Sequence, residues 1–159
     1  MEARQVSVLD QHVAERFTIY NADCAEAMRA VPDSSIDFSI FSPPFASLYT
    51  YSPQIRDMGN CRDHAEFNRH FAFLLPELLR VVKPGRLLSM HAMTLPTSKT
   101  RDGYIGLADF PGVLIRAAVE AGWIFHSEIA IWTDPVTAMQ RTKALGLLHK
   151  TIRKDATMS

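Results

Sequence analysis

Residues 36–45 read Ile36-Asp37-Phe38-Ser39-Ile40-Phe41-Ser42-Pro43-Pro44-Phe45. Ile36, Phe38 and Ile40 alternate at the two-residue period of a strand. The two prolines that follow carry no N–H group, so sheet pairing has to stop there. A hydroxyl, two rigid rings and an aromatic side chain are thereby set at a strand's carboxyl end. Asp37 reads as a strand-entry residue and Phe41 as a core residue.

Upstream, Phe17-Thr18-Ile19-Tyr20 reads as a short strand. Asp23 then opens a short helix, with Glu26 three residues on as in a capping box. Pro32-Asp33-Ser34-Ser35 closes that helix as a turn.

Downstream, Asp63 and Glu66 form a second capping-box pair. Phe67, Phe71, Leu74, Leu75, Leu78 and Val82 make an apolar stripe at helical spacing until Lys83-Pro84-Gly85 breaks it. Pro76 lies inside this stretch and is expected to kink or split it. A strand over Arg86–His91, a polar loop from Thr94 to Gly106 and a helix from about Asp109 follow. That helix carries Phe110, Val113, Leu114, Ala117, Ala118 and Ala121 as its stripe, and Gly122 closes it. Trp123–Trp132 reads as one more strand.

The alternation of strand and helix predicts an α/β fold with a mostly parallel sheet, right-handed crossovers, helices on both faces and ligands at the strands' carboxyl ends. At 159 residues, 47% of them hydrophobic, the chain suffices for about one domain with a core. Lys plus Arg and Asp plus Glu each total 17. The molecule as a whole therefore lacks the basic footprint of a nonspecific nucleic-acid binder, and any polyanion contact has to be local. No signal-peptide pattern and no run of ~18 apolar residues occurs, which leads to the expectation of a soluble, cytoplasmic protein without a membrane partner. Cys24 and Cys61 are too few for a disulfide scaffold and read as reduced thiols.

Three segments together carry a resemblance: Asn21-Ala22-Asp23-Cys24, Val31-Pro32-Asp33-Ser34-Ser35-Ile36-Asp37 and Ser42-Pro43-Pro44-Phe45. They resemble the amino-methylating DNA methyltransferases of the permuted beta group, the N4-cytosine and N6-adenine enzymes of phages and bacteria. In that family the strand-end tetrapeptide is Asp or Ser, then Pro, Pro, and Tyr, Phe or Trp. Leu79-Arg80-Val81-Val82-Lys83-Pro84-Gly85-Arg86 is also similar to a helix-to-strand turn common in methyltransferases. The likeness spans about residues 17–135. It implies a Rossmann-like, S-adenosylmethionine-dependent fold and double-stranded DNA as partner, in the setting of DNA methylation and restriction-modification.

The chemistry explains the residue types. An exocyclic amine is a poor nucleophile because its lone pair is delocalised into the base ring. Acceptors that favour a pyramidal nitrogen assist it, and Ser42's hydroxyl with Pro43's carbonyl can accept its N–H bonds in a direction fixed by Pro43 and Pro44. The base must leave the duplex to reach the donor, and Phe45 is placed to stack on it. The resemblance implies Ser42, Pro43, Pro44 and Phe45 as the catalytic set, and Asp23, Cys24 and Ser42 for the cofactor. Because Ser leads the tetrapeptide, cytosine N4 is favoured over adenine N6. Methylation of RNA or protein amides is a further enzyme reading, and a noncatalytic nucleic-acid-binding remnant is the reading from another class.

Each feature also has a plainer account. Asp23 serves as a helix N-cap, which is compatible with accepting from a ligand. Ser42-Pro43-Pro44-Phe45 is otherwise a turn ending a buried strand. Cys61, His64 and His70 match no common zinc spacing, so no metal site is expected. Neither cysteine neighbours the diproline, which argues against thiolate attack on a pyrimidine ring and for transfer to nitrogen. Arg141, Lys143, Lys150, Arg153 and Lys154 occur in a stretch without an acid, either a solvated helix face or a phosphate-binding one. Trp132-Thr133-Asp134-Pro135 before it resembles a strand exit toward a target-recognition region.

One departure matters. The family's glycine-rich Phe-x-Gly-x-Gly loop has no counterpart, and Gly103-x-x-Gly106 has the wrong residues. Residues 1–135 are thus expected to be the catalytic-motif half of a methyltransferase fold incomplete at its carboxyl end, and 136–159 a basic segment leading to target recognition. Alone, the chain is expected to be inactive, and its open sheet calls for a homodimer or a carboxyl-terminal half that carries the missing loop.

Overall fold

The structure is a computed structural model that describes residues 8–45, 52–53 and 57–134. Contacts divide the chain into Met1–Phe125 and His126–Ser159, and the first unit holds every helix and strand described below. The cations at 141, 143, 150, 153 and 154 lie outside the described residues, as does the 136–159 segment.

The centre of the first unit is a parallel pair of strands, β3 (Ile36–Phe41) and β4 (Val82–Met90). They are joined by a crossover through α2 (His64–Val81). Phe38 pairs with Leu87, Ser39 with Leu88, Ile40 with Ser89 and Phe41 with Met90. Between Ile36, which pairs with Val82, and Phe38 the register slips. The slip puts Lys83-Pro84-Gly85-Arg86 into a bulge, where Gly85 takes φ 75°, a conformation that favours glycine. Asp37 faces the bulge and is held there by Lys83 Nζ at 2.8 Å and Arg86 Nε at 3.5 Å. The Lys83 hydrogen bond holds the Asp37 carboxyl below its ordinary range. β4 thus begins earlier than the Arg86–His91 expectation, because an irregular bulge still feeds the ladder.

The α2 stripe is as the spacing predicts. Phe67, Phe71, Leu74, Leu75, Leu78 and Val81 are buried. Asp63 caps the helix by accepting from Glu66 N at 2.7 Å, while Glu66 accepts from Arg62 N at 2.8 Å. Contrary to expectation, Pro76 does not split the helix. The carbonyl it leaves without a partner is that of Ala72, one turn earlier, and both residues lie on the exposed face where water can serve that oxygen. The buried face continues on either side of the proline, so the packing holds the helix through it.

Around this pair sit smaller elements. β1 (Asp10–Val13) pairs antiparallel with β2 (Thr18–Asn21), and α1 (Cys24–Ala30) follows with Asp23 as its N-cap. Arg80 ties α1 to α2: it donates to Met28 O at 2.8 Å and Val31 O at 2.9 Å and pairs with Glu77 and Asp33. The expected polar loop after β4 contains two strands the sequence reading missed, β5 (Leu95–Thr97) and β6 (Gly106–Ala108), paired antiparallel with the one-turn α3 (Lys99–Asp102) between them. Three-residue strands carry too little periodicity to register.

Helix α4 (Phe110–Glu120) starts where expected, capped by Asp109, which accepts from Gly112 N at 2.9 Å. A side chain at Gly112 would displace that carboxylate from its capping position. Phe110, Leu114 and Ala118 complete the core.

Trp123–Trp132 does not form the expected strand. Residues 121–134 contain neither helix nor strand, and Ile124, Ile129, Ile131 and Trp132 are exposed. The alternation has the right period, but a strand needs a hydrogen-bonded neighbour, and no described strand pairs with it. On β3 and β4, Phe38, Ile40 and Leu87 are also exposed, whereas Phe41 packs on Phe71 with ring centroids 6.3 Å apart. The parallel pair is apolar on both faces, as such strands are, with helices covering one. Among the described residues no helix is long and apolar enough to cross a membrane.

Candidate active site

The ladder between β3 and β4 runs one step past the strands, His91 N donating to Phe41 O at 3.0 Å. That step places Ser42 beside His91. Ser42 Oγ donates to His91 O at 3.2 Å and lies 3.4 Å from His91 Nδ1. Pro43 behind it is buried, and Pro44 and Phe45 are half-buried. Buried prolines need no ladder partner, so the chain turns inward here without leaving an unpaired N–H.

The Phe45 ring meets Phe110 edge-on, with centroids 6.1 Å apart and planes at 88°, and tilts against His91 at 6.3 Å. Ser42, Pro43, Pro44 and Phe45 together line a cleft of about 410 Å³, whose other described wall is Asp57. This volume lies within the range of small-molecule sites. The four residues singled out in the sequence are thus brought to one concavity.

Asp57 and His91 are parts of the site that sequence reading missed. The Asp57 carboxylate caps a 3₁₀ turn at Met58–Asn60, accepting from Gly59 N at 2.8 Å and from Ser52 N at 2.7 Å and Ser52 Oγ at 3.0 Å. An Asp-x-Gly turn is a common local signal, and nothing in its spacing announces a wall of the cleft. His91 was legible only as a strand end; its neighbour emerges from the β3–β4 register.

Asp23 stands at another strand-to-helix junction, between β2 and α1, where its Oδ1 accepts from Ala25 N at 3.0 Å and Glu26 N at 3.2 Å. The N-cap reading is therefore present in the structure. Cys24 is the first residue of α1. Desolvation, with the Asp23 carboxylate beside it, pushes the Cys24 thiol above its ordinary value, and desolvation does the same for Cys61, which is 3% exposed. Both are thiols at neutral pH and neither lines the cleft, so no thiolate nucleophile is offered to it. Cys61 Sγ lies 3.9 Å from His70 Nδ1, and no group of three metal-binding side chains occurs among the described residues. Reaction of the native protein with a disulfide reagent is expected to be slower at pH 7 than for a free thiol and to accelerate toward pH 9. Rapid stoichiometric labelling at pH 7 would contradict the raised thiols.

Comparison with known proteins adds one relative. Over 73 residues the chain is 29% identical to the Type II methyltransferase M.BamHI of Bacillus amyloliquefaciens. The comparison relates it to a methyltransferase. The aligned stretch is 46% of this chain and 16% of that protein, so the chain matches about a sixth of the relative's length. No family model matches, and no solved structure does.

Proposed function

We propose that this chain is the catalytic-motif part of an S-adenosylmethionine-dependent DNA methyltransferase that modifies the exocyclic amine of a flipped base, with cytosine N4 as the target. The observation that carries the reading is the Ser42-Pro43-Pro44-Phe45 cleft at the carboxyl end of a parallel strand. Its supports are the partial similarity to a Type II methyltransferase and the absence of a thiolate in the cleft. A Rossmann-like fold, of which the β3–α2–β4 crossover is one unit, belongs to the same proposal.

The cleft suits a planar base and the methyl end of a donor. Its described lining combines the rings of Pro43, Pro44 and Phe45 with the polar groups of Ser42 and Asp57. S-adenosylmethionine, when bound, supplies an electrophilic methyl group. Ser42 Oγ accepts an amine N–H and favours the pyramidal nitrogen, Pro43 and Pro44 fix that direction, and Phe45 lies against the base. Asp23 and Cys24 are proposed for the donor; the Asp23 carboxylate adds to its capping role an acceptor for polar groups of the ligand. Double-stranded DNA as partner, and phosphate contacts by Arg141, Lys143, Lys150, Arg153 and Lys154, belong to this reading.

Expression of the full-length gene product in a methylation-deficient host is expected to yield N4-methylcytosine in its DNA, read by nucleoside mass spectrometry. N6-methyladenine alone would overturn the choice of base, and no methylated nucleoside would overturn the function.

A further inference from the structure

We propose that His91 is a positioning residue that sets the orientation of the Ser42 hydroxyl for the amine. This rests on the methyltransferase reading of the cleft and deepens it.

A serine hydroxyl has one proton and two acceptor lone pairs. To accept an N–H from substrate, Ser42 must direct its own proton elsewhere, or the two hydrogens collide. In the structure that place is occupied by His91: its carbonyl oxygen is 3.2 Å from Ser42 Oγ and its Nδ1 3.4 Å. With Nδ1 bare, a proton given to either acceptor turns both Oγ lone pairs away from His91; with Nδ1–H, the ring donates to one lone pair and the second is left for the amine. Ser42 is exposed, and an exposed serine otherwise divides its time among three staggered rotamers.

Backbone register makes the arrangement durable. Phe41 pairs with Met90, and the next rung is the His91 N–H bonded to Phe41 O. Ser42 and His91 are therefore held side by side by two strands rather than by a loop. The His91 ring has a second contact, with Phe45 at 6.3 Å. One side chain touches both the residue that receives the amine and the residue that lies against the base. Among the described residues, no ion pair engages it.

The side chain can be separated from the carbonyl, because substitution leaves the carbonyl in place. With the full-length gene product, His91→Ala is expected to lower kcat by about tenfold to a hundredfold, the scale set by a misplaced reacting group. KM for DNA and for S-adenosylmethionine should move little. His91→Asn, which returns a polar atom near the position of Nδ1, is expected to recover most of kcat. In a Ser42→Ala background His91→Ala should have almost no further effect, since the two act through one hydroxyl. A wild-type kcat in His91→Ala, or the same proportional loss with and without Ser42, would overturn the proposal while leaving the methyltransferase reading intact. Absence of methyl transfer by the wild-type protein would overturn both. Should His91→Ala fail to fold, His91→Asn and His91→Gln supply the comparison: Asn active and Gln impaired supports the Nδ1 contact, and equal activity sinks it.

Discussion

Ser42→Ala in the full-length gene product is expected to lower kcat for methyl transfer by about 10²–10³, roughly 2.7–4 kcal/mol of transition-state stabilisation. That is the range found when one preorganised hydrogen-bonding group is removed from a reaction centre. The folded state should scarcely register the change. Ser42 is exposed, and its hydroxyl meets only the carbonyl oxygen and Nδ1 of His91 among the described residues, contacts that water can replace. Exposed substitutions of this kind usually stay within about 0.5 kcal/mol. A single-turnover assay with radiolabelled donor, beside a urea unfolding curve, separates the two effects. Parallel losses of activity and stability would make the tetrapeptide a strand-ending turn and nothing more.

Phe45 behaves differently. The sequence suggests a stacking face whose removal reduces methylation far more than it changes folding. The structure packs that ring edge-on against Phe110, next to the buried cluster. Phe45→Ala therefore mixes a packing loss with any loss of stacking, and Ser42 is the cleaner test of chemistry.

The parts of the fold legible in the sequence were those written in long periodic runs. The α2 stripe from Phe67 to Leu78 repeats over several turns, and its cap at Asp63 is local, so both could be read without a partner in view. Trp123–Trp132 has an equally good period and forms no strand, because pairing depends on a neighbour that no residue within the segment encodes. The diproline fixed where β3 stops. It could not show that Ser42 would meet His91, since that contact depends on the slip at Lys83-Pro84-Gly85-Arg86 that sets the β3–β4 register. Asp57 was hidden for another reason: its carboxylate is used in a local turn, and only the three-dimensional course of the chain brings it to the cleft wall.

Phe110→Ala is expected to cost about 3–5 kcal/mol, the range for truncating a buried phenylalanine. The ring is 0% exposed and, among the described residues, contacts three others: Phe67 at 5.2 Å, His64 at 5.9 Å and Phe45 at 6.1 Å. Its loss leaves a cavity between α2 and α4 that Leu114, one turn further along the same face, cannot fill without dragging its helix. Against a total of about 5–15 kcal/mol for an ordinary domain, this is a large fraction. Phe110→Leu keeps a branched apolar side chain and is expected to lose less, within roughly 1–3 kcal/mol. The milder variant is the informative one for function, because it folds yet removes the edge-on partner that holds Phe45 beside the cleft. Its kcat is expected to fall although no atom of the Ser42 hydroxyl or of Pro43 has changed. Urea unfolding of both variants, with methyl transfer measured for Phe110→Leu, decides it. A loss below about 1 kcal/mol in Phe110→Ala would mean that the aromatic cluster is not the core it is taken to be. Full activity in Phe110→Leu would mean that the orientation of Phe45 does not depend on the helix beneath it.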